Sequence, residues 1–97
     1  MARKTLNQET AERHRREGNL AKSEKIYRRL LAADGDNAAA LGGLAALMVD
    51  QERYEDAIAG FRRALALTPG DASLSTELGN ALIRNGELEE AATFLEN

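Results

Sequence analysis

Ninety-seven residues suffice for one compact domain, and the mixture of abundant alanine, two Phe, two Tyr, no Trp and one Pro favours close-packed helices over strands. The absence of Cys excludes disulfides, thiol catalysis and thiolate metal sites while leaving the redox compartment open. A formal net charge of −3 hides an asymmetry: residues 1–33 carry nine Lys/Arg against four Glu, and residues 34–97 carry four Arg against twelve acids. Such an axial gradient could aid head-to-tail association, although helices need solvated faces in any case. Met1-Ala2-Arg3-Lys4-Thr5 lacks the apolar run of a signal peptide, and no stretch approaches the ~18 consecutive apolar residues of a membrane span. A cytoplasmic protein is the expectation.

In chain order, Thr5 with Gln8 three residues on fits a capping box, which opens a first helix running to about Glu17. Gly18-Asn19 stops it, because glycine accepts the left-handed conformation that ends helices. A second helix over 20–33 sets Leu20, Ser23, Ile26, Tyr27, Leu30 and Leu31 on one stripe at three-and-four spacing. Asp34-Gly35-Asp36-Asn37 closes it, with Asp36 or Asn37 as the cap of the next. A helix follows over 38–49, then a turn at 50–53 and a helix over 54–67. The turn has Glu52 where the neighbouring turns have Gly18 and Gly86; a positive φ there would cost on the order of 1 kcal/mol. Thr68-Pro69-Gly70-Asp71 ends this hairpin, proline blocking continuation. The last hairpin pairs a helix over 72–84 with one from about Glu87, whose Glu87, Glu89 and Glu90 suit its positive N-terminal end.

The hairpins are one unit written almost three times at a period of 34 residues. Ala11, Ala45 and Gly79 recur on the first helices and Ser23, Ala57 and Ala91 on the second, small residues that let two helices approach. Leu20, Tyr54 and Leu88 form one large column, and Tyr27, Phe61 and Leu95 another, to fill the seams between units. A lone hairpin would leave that face wet, so neighbours must stack. With Leu41, Leu44, Ala45, Tyr54, Ala57, Phe61, Ala64 and Pro69 at that period, the chain resembles the tetratricopeptide repeat family. Leu41 stands where the family often has tryptophan, and the first unit departs with Asn7, Ser23, Leu30 and Gly35, the third with Ser75 and Leu95. The resemblance covers residues 4–97 and implies an all-α, right-handed superhelical solenoid of antiparallel helix hairpins. The expected domain is single, with repeats at 4–37 and 38–71 and a truncated third at 72–97.

Thr10, Arg13 and His14 stand where later units have apolar residues, as suits a terminal repeat. At the other end Ala91, Phe94 and Leu95 would lie on or near an uncovered face. Either a longer protein continues the array or that face pairs with another copy.

No catalytic constellation, cofactor motif or metal site is expected. His14 is the sole histidine, so no i, i+4 pair can form. Glu87, Glu89, Glu90 and Glu96 come without a nucleophile and base arrangement or a phosphate loop. Gly42-Gly43 sits inside a helix with no strand before it. Arg13-His14-Arg15-Arg16 is interleaved with Glu9, Glu12 and Glu17 and has no aromatic platform, so it reads as a solvated helix face and not as a nucleic-acid site.

The resemblance implies instead a concave groove lined by the first helices of successive units, where a peptide or helical segment of a partner binds. Carried onto this chain, the partner-binding residues are Gln8, Glu12, Arg15, Arg16, Gly42, Gly43, Ala46, Val49, Asn80, Ile83 and Arg84. Gly42 and Gly43 either make room for a ligand backbone or pack closely against a neighbouring helix. The family's carboxylate-gripping positions hold Gln8, Glu12, Gly43, Ser73 and Glu77 here; two acids would repel a carboxylate, so acidic chaperone tails are not expected ligands. Glu9, Gly43 and Glu77 also lack the asparagine ladder of sugar-transferase arrays. The expected role is a protein-interaction scaffold without catalysis. The alternatives are head-to-tail self-assembly and an N-terminal accessory module of a larger enzyme such as a transferase.

Overall fold

A computed structural model describes residues 7–95. It contains six helices and, among the described residues, no strand: α1 (Gln8–Arg16), α2 (Leu20–Ala33), α3 (Ala38–Asp50), α4 (Tyr54–Leu67), α5 (Ala72–Arg84) and α6 (Leu88–Leu95). Consecutive helices pair as hairpins α1·α2, α3·α4 and α5·α6, and the hairpins stack through α2·α3 and α4·α5. First helices also touch one another, α1 with α3 and α3 with α5. The result is an elongated array, 51 × 25 × 18 Å, in which no helix of the described residues is long and apolar enough to cross a membrane.

Each first helix begins at an oxygen-bearing cap. The side chains of Asn7, Asn37 and Asp71 accept from the amides of Thr10, Ala40 and Leu74, satisfying donors that the helix itself leaves unpaired. Thr5 lies outside the described residues; α1 starts at Gln8, with Asn7 as its cap. Of the two candidates before α3, Asn37 takes the role.

The three turns within hairpins are built alike. Asn19, Arg53 and Glu87 each donate a backbone N–H of 2.8 Å to His14, Met48 and Leu82, and the residue before each has positive φ: +83° at Gly18, +59° at Glu52 and +85° at Gly86. Glu52 therefore occupies a conformation that glycine enters without steric cost.

Close approach within hairpins rests on small side chains. Ala11, Ala45, Ala57 and Ala91 are all at most 1 % exposed. In the first unit the alanine of the later ones is replaced by Ser23, fully buried, whose hydroxyl donates to the Ala11 carbonyl at 2.7 Å; a buried hydroxyl is tolerated only when so paired. Gly60, in the middle of α4, is a further contact point: an added Cβ would lie 3.0 Å from the Cβ of Ala45. Ala91, expected near the uncovered face, is instead 1 % exposed, because it faces α5 across the hairpin. On α6, Phe94 is half-buried, Leu88 is 62 % exposed, and Leu95 is 41 % exposed with its other side against Gly79.

The seams are filled by Tyr27 and Phe61, both essentially inaccessible, in one buried cluster with Leu41, Leu44, Leu47, Leu74, Leu78 and Leu82. Tyr27 also decides the role of the glycine pair. A Cβ on Gly43 would come within 2.3–2.6 Å of the Tyr27 ring and hydroxyl, and one on Gly42 would lie 3.0 Å from Leu74. Helix packing therefore accounts for both residues. The Tyr27 hydroxyl is buried beside Arg15, whose Nε is buried with it. Burial first, then the charge of Glu12, raises the pKa of Tyr27 against the pull of Arg15 and Arg16.

Three outcomes follow from this packing. Gly43→Ala should destabilise by about 1–3 kcal/mol through overpacking, despite alanine's better helix propensity; urea unfolding should show the cost shrinking in a Tyr27→Leu background, whereas Gly42→Ala alone is closer to neutral. Glu52→Gly should stabilise by up to about 1 kcal/mol, read as a higher urea midpoint at unchanged slope. Alkaline absorbance titration should reveal a phenol ionising above the ordinary range, which Tyr27→Phe removes. Since the folded state holds the neutral phenol, its contribution to stability is complete below the unfolded pKa of about 10 and is lost as pH rises through the raised folded value.

Candidate functional site

The first helices α1, α3 and α5 lie side by side, and the channel between them holds two adjoining cavities of about 440 and 210 Å³. Arg15, Ala46 and Glu77 border both, so the two form one groove. The floor comes from α3, where Ala39, Gly42, Gly43 and Ala46 keep side-chain bulk low. One wall comes from α1, with Gln8, Glu12 and Arg15, and the other from α5, with Leu74 and Glu77. Toward the far end the lining changes to Val49, Asp50, Asn80 and Arg84.

The helix period explains which side chains arrive there. Gln8, Glu12 and Arg15 recur at four- and three-residue steps and so share the flank of α1 that faces α3. Nine of the eleven residues named from sequence line the groove: Gln8, Glu12, Arg15, Gly42, Gly43, Ala46, Val49, Asn80 and Arg84. Arg16 and Ile83 do not. Both are exposed, each carried around its helix, at about 100° per residue, off the flank turned toward α3. The structure adds Tyr27 and Asp71 to the larger cavity. Tyr27 could not be placed there by a one-helix pattern, since it reaches the groove wall from α2 through the gap above Gly43.

Polar contacts tie the walls to the floor. Gln8 donates to the Ala39 carbonyl at 2.9 Å, and Arg15 donates to Asp50 at 3.1 Å, both joining α1 to α3. Partial burial would lower the pKa of Arg15, but the hydrogen bond and charge of Asp50 outweigh it and raise the value. Such a pair adds roughly 0–1 kcal/mol to stability at a solvated site; its larger effect is to hold the guanidinium against α3. Glu77 remains solvent-accessible, yet partial desolvation pushes its carboxyl up. Arg15 opposes that shift and Asp71 adds to it.

Comparisons with known proteins agree with this architecture. Models of the tetratricopeptide repeat family match residues 9–72 and 48–97. Among solved structures, the O-GlcNAc transferase of Thermobaculum terrenum superposes with a TM-score of 0.88 at 36 % identity, over 92 % of this chain and 17 % of that one. This chain thus spans about a sixth of that relative. The second tetratricopeptide domain of Spaghetti (RPAP3), bound to the HSP90 peptide SRMEEVD, gives 0.86 at 26 % identity over 92 % of this chain and 82 % of the other. The type III secretion translocator chaperone SycD of Yersinia enterocolitica, at 20 % identity and a TM-score of 0.84, covers 91 % of this chain and 61 % of its own length, a likeness of fold alone. Among curated proteins none matches the sequence. With six helices in three stacked hairpins and two family models that together span residues 9–97, the chain belongs to the tetratricopeptide repeat family.

Proposed function

We propose that the chain is a protein-interaction module that holds a peptide or helical segment of a partner protein in the groove between α1, α3 and α5, and that it performs no catalysis itself. The observation that carries this reading is the continuity of the groove: two cavities joined at Arg15, Ala46 and Glu77 run along an array whose floor is almost free of side-chain bulk. A ligand backbone can approach such a floor closely, while the polar walls supply orientation. The solved domain of Spaghetti (RPAP3) holds a peptide, which supports the class of function. The share of the transferase matched here leaves room for the related reading that the array serves a larger enzyme.

Self-association is a second reading, and α6 is what favours it. Leu88 and Leu95 are 62 % and 41 % exposed, in the columns where Tyr54 is half-buried and Phe61 is fully buried. Sedimentation across concentration and salt distinguishes the two, since a strict monomer at high concentration and low salt removes this alternative.

Ala46→Arg places a long side chain at the junction of both cavities. Peptides selected from a displayed library on the wild-type module should bind this variant at least about tenfold more weakly, the loss of one well-placed contact of ~1.4 kcal/mol, with helicity unchanged by circular dichroism. Ile83→Asp, outside the groove, should leave binding intact.

A further inference from the structure

Exposed apolar surface is concentrated at one end of the array. Among the described residues four large apolar side chains are exposed, and three of these, Ile83, Leu88 and Leu95, belong to the third hairpin. One repeat earlier the same columns hold Val49 and Tyr54, both half-buried, and Phe61, which is buried. The difference is that α5 packs on α4, whereas α6 packs on α5 alone among the described residues. An apolar strip left open in this way marks an association surface, and the seams inside the array show what fits it: the outward flank of a first helix.

The one first helix with an unpaired outward flank among the described residues is α1, and its columns match. At one pair of columns the first seam joins Arg15 to Asp50, 3.1 Å apart, and the second sets Val49 and Arg84 on the smaller cavity. Continued by one repeat, with α1 as the incoming helix, the pair becomes Ile83 and Arg16, the apolar and arginine combination of the second seam. Both residues are exposed and lie outside the groove. At another pair Phe61 and Ala81 border the smaller cavity together; the continuation gives Leu95 and Arg13, less bulk where phenylalanine stood and more where alanine stood. The aliphatic stem of Arg13 lies over α6 with its guanidinium in solvent. A third pair is electrostatic. Arg62 of α4 is bonded to Glu90 of α6, and the sequence continues those columns as Glu96 and Lys22, opposite charges in reversed order; Glu96 lies outside the described residues. Arg28 and Asp56 hold the same columns at the first seam and are also opposite, each paired within its own hairpin.

We propose that the chain associates head to tail with a second copy of itself: the outward flank of α1, with Arg13 and Arg16, docks on Ile83, Leu88 and Leu95 of the other copy and continues the hairpin stack. This rests on the self-association reading above and names its two surfaces. Charge favours this order. Residues 1–33 carry nine Lys/Arg against four Glu, whereas residues 72–97 carry five Glu against one Arg, so the two ends attract. Pairing α6 with another α6 sets two acidic helices against each other. A head-to-tail contact is open-ended unless it closes into a ring, and it places α1 of one copy beside α5 of the other, so that consecutive grooves join.

Sedimentation velocity of the 97-residue chain across a concentration series should show assembly, and two double variants separate the surfaces. Ile83→Asp with Leu88→Asp blocks the tail, and Arg13→Glu with Arg16→Glu blocks the head; all four positions are exposed, and circular dichroism should show unchanged helicity. Each variant alone should stay monomeric at concentrations where the wild type assembles. Their equimolar mixture should form a one-to-one dimer and stop there, because only one intact head and one intact tail remain to meet. A head variant that assembles like the wild type, or a mixture that stays monomeric, would overturn the head-to-tail contact while leaving self-association through another surface intact. A wild-type chain that is monomeric at high concentration and low salt would overturn both.

Discussion

The distance between paired helices is the constraint on which the rest depends. Two helices can approach closely only where neither presents a large side chain, and here Ala11, Ala45 and Gly79 on the first helices and Ser23, Ala57 and Ala91 on the second meet that condition at every repeat. Because a hairpin so formed has apolar residues on its outer flank, it cannot be stable alone. Stacking is then not optional, and the seam residues Tyr27 and Phe61 are what the stack buries. Stability is distributed along the array, in one continuous cluster of buried side chains to which every helix contributes.

The groove is a by-product of the same geometry. Second helices are thickened by Tyr27 and Phe61, whereas first helices carry small residues along α3, so one side of the array is recessed. Gly43 illustrates how structure and site share a residue. Its missing side chain lets the Tyr27 ring lie on α3, and the same absence leaves the groove floor low. Packing and groove depth therefore draw on one glycine, and any change there alters both.

Electrostatics joins the units in a consistent direction. Arg15 of the first hairpin pairs with Asp50 of the second, and Arg62 of the second pairs with Glu90 of the third. In the opposite direction, Arg63 of α4 donates to the Gly35 carbonyl in the loop before α3. The gradient from basic to acidic along the chain is thus partly spent within the array, as contacts between successive hairpins. On the groove side, Glu12 and Glu77 border the larger cavity together with Arg15, while Asp71 caps α5.

The helices, their turns and the small-residue columns were legible in the sequence, because each is specified by neighbours close in the chain or by a 34-residue recurrence that survives without knowledge of contacts. Even the strained turn at Glu52 could be read by alignment with Gly18 and Gly86. Four matters needed the tertiary structure. The purpose of Gly43 depends on a tyrosine sixteen residues earlier that crosses from another hairpin. The close approach at Gly60 falls where the other units have Ile26 and Phe94, so no recurrence marks it. The burial of Ala91 follows from α5 covering it across the hairpin. The exclusion of Arg16 and Ile83 from the groove depends on which flank of α1 and α5 turns toward α3. Period and residue type place a side chain on a helix, but only the neighbouring helix decides which flank becomes a wall.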